Sequence, residues 1–434
     1  MNKLFAACAL MLLFSGTAFA SGFGVFTQGA SGLGQANAVV AHATGPSSLY
    51  FNPALLNDVP GRQVEFGTTG IYADRSIDLD SGSAEDGEST WNFPSSAYYT
   101  HQVNDRLSTG FGLFFPFGLS TEWDEDYEGK YLGTYGEITT LNINPVMSYR
   151  LTETLSIAGG ISLLYLDATL KKKINQTGAH TLLDLALSGG VGGVLPPLSS
   201  SEDIGQRFEG EGWGHGFNLG ALYRPLPQLS FGMTYRSHID IDVQGRASFS
   251  NVDPALDMFV PDTNGHADIR LPAQAAAGIA YSGIDSLVVE VGARWEDWSS
   301  TDELKVELDS QVLGQSTDIV PRDWRSTWSY NIGGQYRINE RVALNAGYLF
   351  GENAVPDSTF EPLIPDTDAH LFTFGMEYRT GEWTISGAFG YEKHDSRDKD
   401  NDLGDPLVTP PSGTANGTYE TDIYLAGLSV AYRF

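Results

Sequence analysis

The chain has 434 residues and a formal net charge of −29, from 25 Lys and Arg residues against 54 Asp and Glu residues. Such an excess of negative charge repels phosphate backbones, which argues against a nucleic-acid-binding protein. The single cysteine excludes a disulfide framework and a cysteine-ligated zinc site, and an aromatic content of 12% argues against a disordered chain.

Residues 1–20 have the pattern of a secretory signal peptide. Lys3 precedes an apolar run at residues 4–14, and residues 18–20 (Ala-Phe-Ala) form a small-x-small cleavage site. The mature chain is therefore predicted to begin at Ser21. The run is shorter than the roughly 20 apolar residues that a membrane-spanning helix needs, and no other stretch approaches about 18 uncharged apolar residues. We therefore expect an exported protein whose membrane insertion, if any, uses strands.

Most of the remaining chain alternates apolar and polar residues with a period of two, as β-strands do. Apolar faces often end in aromatic residues, and the opposing faces carry glycine and charged residues. In the last segment the apolar face comprises Tyr424, Ala426, Leu428, Val430, Tyr432 and Phe434, and the other face holds Gly427, Ser429 and Arg433. This pattern favours an outer-membrane β-barrel, whose apolar faces meet lipid, over a soluble sandwich.

Short and long connections alternate along the predicted strands. The short ones, such as 103–106 and 151–154, contain turn-forming residues, whereas long ones, such as 74–90, 174–210, 310–320 and 395–417, hold much of the acid. The alternation predicts an all-β, antiparallel barrel of about fourteen strands, with short turns and both termini in the periplasm. The acidic loops are interpreted as a solvated surface near outer-membrane lipid and lipopolysaccharide, and no metal site is predicted because calcium-loop spacing is missing.

Residues 21–61 do not fit the barrel pattern. They show no alternation and are rich in glycine, alanine and small polar residues. In a periplasmic tail, apolar residues such as Phe23 and Leu33 would be exposed to water. A barrel of about fourteen strands has a lumen wide enough to need a plug. We therefore predict an N-terminal hatch at residues 21–61 inside a transmembrane barrel at residues 62–434.

Several motifs then point to one family when they are taken in order. Asn52-Pro53-Ala54 follows a small-residue run at 31–34, the segment 116–123 reads Pro-Phe-Gly-Leu-Ser-Thr-Glu-Trp, and the chain ends in Tyr432-Arg433-Phe434. This order resembles the FadL family of outer-membrane transporters of long-chain fatty acids and other hydrophobic compounds. The resemblance covers nearly all of the mature chain. It implies a monomeric, hatch-plugged barrel of fourteen strands, without a cofactor, whose C-terminus is read by the barrel-assembly machinery.

A ligand site is predicted on the strand that begins at Leu155. Its inner face is apolar and ends in a cation; it comprises Leu164, Leu166, Ala168, Leu170 and Lys172. Parity also turns Arg325 inward at a similar height. Because burying an unpaired carboxylate is very costly, we predict that Lys172 and Arg325 converge on the carboxylate of a hydrophobic acid. The alternative is that each cation pairs with a loop acid.

The resemblance adds three expectations about sites. It implies that Lys172 and Arg325 occupy the positions of the family's basic ligand contacts, and that Phe23 reaches the bound ligand. It also implies a kinked third strand with a lateral gap toward the membrane. Gly110, Gly112 and Pro116 are the candidates for this kink, since glycine weakens a strand and proline removes a ladder donor. A bulge without a transport role is the alternative.

The leading hypothesis is passive uptake of long-chain fatty acids or similar hydrophobic molecules. Capture at outer loops, where residues 182–187 form a short apolar helix candidate, would precede lumen binding and lateral or periplasmic release. Neutral aromatic hydrocarbons are an alternative ligand class that needs neither cation. A lipase is disfavoured because no Gly-x-Ser-x-Gly or His-Glu-x-x-His motif is present, so no catalytic residue is assigned. An open porin or purely structural barrel is disfavoured by the hatch and the apolar wall.

Overall fold

A computed structural model describes residues 22–404 and 409–434, so the predicted signal peptide and Ser21 lie outside the described residues. The described residues form one sheet of 22 strands whose pairings are antiparallel, together with a few short helices. No helix in the described part of the chain is long and apolar enough to cross a membrane. The α-helices are α1 (Ala30–Leu33), α2 (Ser48–Phe51) and α3 (Gln176–Leu187), and the 3-10 turns are Pro53–Asp58, Asp257–Phe259, Trp298–Ser300, Asp357–Thr359 and Pro411–Thr414.

The strands differ widely in length, and the shortest has two residues. In chain order they are β1 Arg62–Leu79, β2 Ala84–Asp86, β3 Trp91–Asn92, β4 Ser95–Gln102, β5 Leu107–Phe114, β6 Gly118–Glu122, β7 Tyr135–Arg150, β8 Leu155–Ile174, β9 Ile204–Leu226, β10 Leu229–Arg236, β11 Ile239–Ser250, β12 Thr263–Leu271, β13 Gln274–Ile284, β14 Leu287–Glu296, β15 Glu303–Val312, β16 Gln315–Pro321, β17 Thr327–Arg337, β18 Val342–Gly351, β19 Ala369–Thr380, β20 Trp383–His394, β21 Arg397–Lys399 and β22 Gly417–Arg433.

Within the described residues, 14 of these strands close a ring. The ring runs β1, β4, β5, β7, β8, β9, β10, β13, β14, β17, β18, β19, β20 and β22. It closes where β22 pairs with β1, from Gln63 opposite Arg433 to Leu79 opposite Gly417. The predicted all-β barrel of fourteen strands is therefore confirmed.

The two faces of the ring strands differ as the alternation predicts. On β22, Leu428 is 52% exposed, whereas its neighbour in the opposite parity, Leu425, is fully buried. On β8, Leu163 is exposed and Leu164 is buried in the same way. The outward residues form an apolar band with aromatic side chains, as lipid-facing residues of an outer-membrane barrel do.

The long connections are less irregular than the sequence predicts. The connection predicted at 74–90 is partly strand, because β1 continues to Leu79. The connection predicted at 310–320 is the second half of a hairpin formed by β15 and β16, which stands outside the ring. These extensions rise above the apolar band at the end of the barrel that carries the long connections, called here the long-loop end. Because they lie beyond the apolar band, their pairing does not follow from counting the strands that cross the bilayer.

The third ring strand is broken between β5 and β6. Proline at position 116 has no amide hydrogen, and β6 resumes pairing with β7 at Gly118. The N-terminal segment pairs with the break: the amide of Val25 donates to the carbonyl of Pro116 at 2.8 Å, and the amide of Gly118 donates to Phe23 at 2.9 Å. The strand is thus interrupted at Pro116, one of the three candidates for the kink, and a lateral gap at this point stays a prediction.

Gly110 and Gly112 do not cause this break, so that part of the prediction is wrong. Both lie inside β5, which pairs in continuous register with β4 and β7. A Cβ at Gly110 would lie 2.7 Å from Leu49 and 2.8 Å from Leu56, and a Cβ at Gly112 would lie 3.0 Å from Leu49. These glycines therefore make room for the N-terminal segment rather than bend the strand.

Residues 22–61, called here the N-terminal segment, lie within the ring. Helix α1 contacts β1, β19, β20 and β22, and the 3-10 turn at Pro53–Asp58 contacts β4, β5 and β7–β9, so the segment reaches opposite walls. Most of its residues are buried. At the end of the barrel with the short turns, Asp58 pairs with Arg224 at 2.6 Å and with Arg150 at 3.5 Å.

Polar side chains of the wall hold the N-terminal segment by its backbone. Glu290 is fully buried and accepts from the amides of Val40 at 2.6 Å and Ala41 at 3.0 Å. On the other side, Glu65 accepts from the amide of Ser47 at 2.9 Å. Backbone donors that strands or helices do not satisfy thus find buried carboxylates, as buried polar groups require.

The Asn-Pro-Ala motif is one of these attachment points. The amide of the buried Asn52 side chain donates to the carbonyls of Val40 at 2.8 Å and of Ala221 on β9 at 3.0 Å. Its oxygen accepts from the backbone of Ala54 at 3.0 Å and so caps the 3-10 turn that Pro53 begins. The motif therefore joins two parts of the N-terminal segment to the wall.

Candidate ligand-binding site

An apolar cluster fills the half of the lumen nearest the long-loop end. Leu164 and Leu166 on β8 are fully buried, and Ala168 is nearly so, while Leu170 packs on the cluster at its edge. The inward direction predicted for these residues is confirmed. Neighbouring strands and loops add further buried side chains to the cluster: Leu119, Ile138, Ile241, Val243, Leu271, Trp298 and Trp324.

Phe23 sits at the centre of the aromatic part of this cluster. Its ring centroid lies 4.8 Å from Trp298, 6.0 Å from Trp324 and 6.1 Å from Phe117, each in an edge-to-face arrangement. Such geometry adds to the burial of apolar area. Phe117 follows the break in the third strand, so Phe23 links the cluster to that break. Phe23 packs among wall and loop residues of the cluster, and its contact with a ligand stays a prediction.

The connection 352–368 folds inward and covers the cluster. Its residues Val355, Phe360, Leu363 and Ile364 are buried in the same cluster as Leu164. Beneath it lie two cavities of about 50 and 70 Å³ that share Leu170, Phe208 and Leu363 in their linings. Ligand pockets usually measure ~300 Å³ or more. A long-chain ligand therefore has to displace side chains of this connection to occupy the cluster.

Lys172 lies where the apolar wall of β8 meets the larger cavity. Its Nζ donates to Oδ2 of Asp318 on β16 at 2.8 Å, and the two side chains are 29% and 35% exposed. Burial raises the pKa of Asp318, but the neighbouring Lys172 ammonium outweighs it and holds the pKa below its ordinary value. The Asp318 carboxyl is therefore ionised at neutral pH, and both side chains of the pair are partly hydrated.

Arg322, and not Arg325, is the cation that lines both cavities, so the prediction for Arg325 is wrong in this respect. Lys171 also lines the larger cavity, with its Nζ 4.6 Å from the centre of the Tyr135 ring. Arg322 lines both cavities and forms an ion pair with Glu361, with side-chain exposures of 9% and 5%. Arg325 is exposed and lines neither cavity. Parity fails because β17 begins at Thr327, so residues 322–326 are not in a strand. Because Arg322 also lies outside any strand, no alternation in the sequence predicts that its side chain points inward.

Asp366, in the connection 352–368, joins that connection to the start of the described chain. Its Oδ2 accepts from the amides of Gly22 at 3.0 Å and of Ala354 at 2.8 Å. Burial raises its pKa to about 6, although these amides and the nearby His394 and Arg397 oppose the shift. The inward fold of the connection thus depends on the N-terminal segment.

Outside the lumen, the apolar helix predicted within residues 182–187 is confirmed as part of α3, Gln176–Leu187. Asn175 caps it by accepting from the amide of Gly178 at 2.9 Å. Leu185 and Leu187 are exposed near Val191 and Val194, which leaves apolar side chains at the long-loop end. Among the described residues no group of three or more His, Cys, Asp or Glu side chains is placed to hold a metal ion.

Comparison with known proteins gives the family. Residues 11–434 match the family described as outer membrane protein transport protein (OMPP1/FadL/TodX). The chain belongs to this family of outer-membrane transporters of hydrophobic compounds, whose members are channels rather than enzymes. It is similar to outer membrane protein P1 of Haemophilus influenzae, with 25% identity over 98% of this chain and 97% of that one. It is also similar to the long-chain fatty acid transport protein of Escherichia coli K12, with 25% identity over 87% and 89%.

Solved structures agree with the barrel. A FadL homologue from Pseudomonas aeruginosa superposes with a TM-score of 0.82 at 18% identity, over 95% of this chain and all of that one. The toluene transporter TodX from Pseudomonas putida superposes with a TM-score of 0.74 at 21% identity, over 94% and 98%. At these identities the likeness shows the fold alone. With the family match, it places the protein in the bacterial outer membrane.

Proposed function

We propose that this protein carries long-chain fatty acids, or similar hydrophobic anions, through its barrel by passive diffusion. The observation that supports this ligand class is the pairing of an apolar wall with cations at its end. Leu164, Leu166 and Leu170 offer a dry surface for a hydrocarbon tail, and Lys172 lies where the headgroup of that tail would be. A carboxylate next to an ammonium keeps a strong, charge-assisted hydrogen bond after it leaves water.

The proposed route begins at the long-loop end, which faces the outside if both termini are periplasmic. A ligand would meet the exposed apolar residues of α3, pass the connection 352–368 and enter the cluster around Phe23. Residues 21–61 would then act as a hatch, with residues 1–20 removed on export. The break at Pro116 lies beside Phe23 in the wall and supports lateral release, and the Asp58 ion pairs at the short-turn end oppose a periplasmic exit.

Neutral aromatic hydrocarbons are the second candidate ligands. Two observations favour them: Lys172 and Arg322 at the cavities already have acidic partners, and the aromatic residues Phe23, Trp298 and Trp324 form part of the site. The structural likeness to a toluene transporter is compatible with this choice but rests on the fold. A neutral ligand would gain nothing from Lys172, so the two candidates predict different effects of removing that residue.

Replacing Lys172 with alanine is expected to weaken oleate binding and to leave toluene binding unchanged. A hydrogen bond to a charged group contributes about 1.5–3 kcal/mol, so the dissociation constant for oleate should rise roughly tenfold to hundredfold. Titration calorimetry of the purified, refolded barrel measures both ligands. Equal oleate affinity in the variant and the wild type would remove the support for a fatty-acid ligand.

Two matched variants control for nonspecific loss of positive charge. Lys173 is the next residue on β8 but pairs with Glu125 at 2.6 Å and does not line the cavities, so Lys173→Ala should bind oleate normally. Arg325→Ala should do the same because Arg325 is exposed and lines neither cavity. If Arg325→Ala instead abolishes oleate binding, the cation that holds the headgroup has been assigned wrongly.

A further inference from the structure

Two of the three cations that line the cavities, Lys172 and Arg322, are already occupied by carboxylates of the chain itself. Asp318 holds Lys172, and Glu361 holds Arg322. Neither acid comes from the ring: Asp318 lies on the outer hairpin strand β16, and Glu361 lies in the connection 352–368. Both elements line the cavities, through Val320 next to the first acid and Leu363 next to the second. The two acids therefore attach β16 and the connection 352–368, which together cover the site, to Lys172 and Arg322.

We infer that Asp318 and Glu361 are built-in competitors of the ligand headgroup, and that they select anionic ligands by exchanging with them. The inference rests on the proposed function. A ligand carboxylate that takes Lys172 releases Asp318 and so removes the ion pair that attaches β16 to β8, whereas one that takes Arg322 releases Glu361 and the connection above the cluster. Access to the site therefore depends on the charge of the ligand headgroup.

The buried pair favours anionic ligands over neutral ones because its charges must stay compensated. Arg322 and Glu361 are almost fully buried, and removing one partner of such a pair leaves an uncompensated charge, which is strongly unfavourable. When a carboxylate replaces a carboxylate, the guanidinium stays compensated throughout. A neutral hydrocarbon has no group that can replace Glu361, so it cannot release the connection in this way.

The exposure of the two pairs sets the order of the exchange. The Lys172–Asp318 pair is about one-third exposed, whereas Arg322 and Glu361 are 9% and 5% exposed. Water and an incoming headgroup reach the first pair more readily, and a partly exposed pair contributes little to stability. The ligand therefore engages Lys172 first, and the buried pair opens second.

A second cation, Lys399, lies near Glu361 and can compensate its charge after Glu361 leaves Arg322. Lys399 is 1% exposed, and its Nζ donates to three neutral oxygens, of Asn401 at 2.7 Å, Thr414 at 2.6 Å and Asn416 at 2.8 Å. Burial lowers the pKa of Lys399 to about 8, and the nearby charge of Glu361 opposes that shift. The released carboxylate thus remains close to a buried ammonium, which lowers the cost of the exchange.

The first test compares oleate with oleyl alcohol, which has the same tail and no charge. In Asp318→Asn the competitor is neutral, so oleate affinity should rise roughly threefold to tenfold, in line with a partly exposed ion pair, while oleyl alcohol affinity should not change. Glu307→Gln is the matched control, because it breaks an exposed pair with Lys305 on the same hairpin. It should alter neither ligand.

The outcomes separate the two levels of the account. If the wild type binds oleate but Asp318→Asn binds it equally or more weakly, the inference is overturned and the proposed function stands. If the wild type binds no oleate, the proposed function fails and the inference fails with it. Heat-modifiable migration on gels confirms that each variant is a folded barrel.

A second test measures the movement of β16 and of the connection 352–368 without altering either ion pair. The only cysteine, Cys8, lies in the predicted signal peptide, so a mature chain can carry two introduced spin labels. Ser316 on β16 and Ser358 in the connection 352–368 are exposed positions for Ser316→Cys and Ser358→Cys. Oleate should change the distance distribution between the labels, and oleyl alcohol should not. Identical distributions with the two ligands would overturn the coupling.

Discussion

Replacing Gly333 with valine is expected to open the barrel to a steady ion current. Gly333 on β17 faces the turn of the N-terminal segment at Gln35, where an added Cβ would lie 2.8 Å from the carbonyl carbon of Gln35 and closer still to its oxygen. On the neighbouring strand, a Cβ at Gly347 would lie 2.6 Å from the backbone nitrogen of Ala36. The contact is with backbone, which cannot move aside as a flexible side chain can.

The N-terminal segment should yield rather than the wall. Gly333 lies in a continuous antiparallel ladder with β14 and β18, and deforming that ladder would break many backbone hydrogen bonds. The turn at Gln35 is held by fewer bonds, such as that from Asn331 to the carbonyl of Ala36 at 2.9 Å. Displacing it from a lumen of this width should raise single-channel conductance in planar bilayers roughly tenfold or more.

Gly387→Val is the matched control for this experiment. Gly387 lies in ring strand β20, and a Cβ added there meets nothing within 4 Å. The substitution adds the same side chain to the same kind of strand without touching the N-terminal segment, so conductance should stay at the wild-type level. A closed Gly333→Val barrel would mean that residues 22–61 do not block the lumen as proposed.

The second large effect is expected at the buried ion pair of Arg322 and Glu361. Arg322→Met removes the ion-pair partner of the Glu361 carboxylate, which is 5% exposed, and breaking a buried pair in this way costs up to about 3–5 kcal/mol, less what the nearby Lys399 ammonium recovers. The double variant Arg322→Met/Glu361→Leu removes both charges and should recover most of that loss. Amide hydrogen exchange across residues 352–368 measures the local opening free energy directly.

An exposed pair in the same connection provides the comparison. Asp357 pairs with Arg397 at 2.6 Å, but its side chain is 90% exposed. Asp357→Asn should therefore change exchange in residues 352–368 very little, since solvent screens such pairs. If Arg322→Met protects the connection as well as the wild type does, the buried pair does not hold the cover of the site.

The architecture was predictable because lipid imposes a strict pattern. Every residue that faces the bilayer must be apolar, so the alternation at Leu428 and Leu425, or at Leu163 and Leu164, is visible in the sequence. The same rule places Leu166 and Lys172 inward on β8. Turns between ring strands are short and rich in turn-forming residues, which predicts where the strands end. The count of fourteen strands follows from local signals alone.

The errors arise where the chain leaves the bilayer. Parity has no meaning at Arg325 because residues 322–326 are irregular, and Arg322 turns inward instead. The hairpin of β15 and β16 stands outside the ring, so its pairing does not follow from counting the strands that cross the bilayer. The roles of Gly110 and Gly112 depend on Leu49 and Leu56, which come from a distant part of the chain. Such contacts are set by tertiary packing and leave no periodic trace in the sequence.

The acidic partners at the site could not be predicted either, because they too are set by tertiary packing. The sequence contains 54 acidic residues, and nothing local marks Asp318 or Glu361 as the partners of Lys172 and Arg322. The general alternative that each cation pairs with a loop acid is correct for Lys172. What the sequence could not show is that these acids lie on the elements that cover the apolar cluster.

Uptake of labelled oleate by cells tests the central proposal most directly. A bacterial host that lacks its own fatty-acid transporter would express the wild type or the Lys172→Ala variant, with surface levels matched. The account predicts saturable uptake well above the empty-vector level for the wild type and a clear reduction for Lys172→Ala. Uptake at the empty-vector level from a folded, surface-exposed wild-type barrel would contradict it.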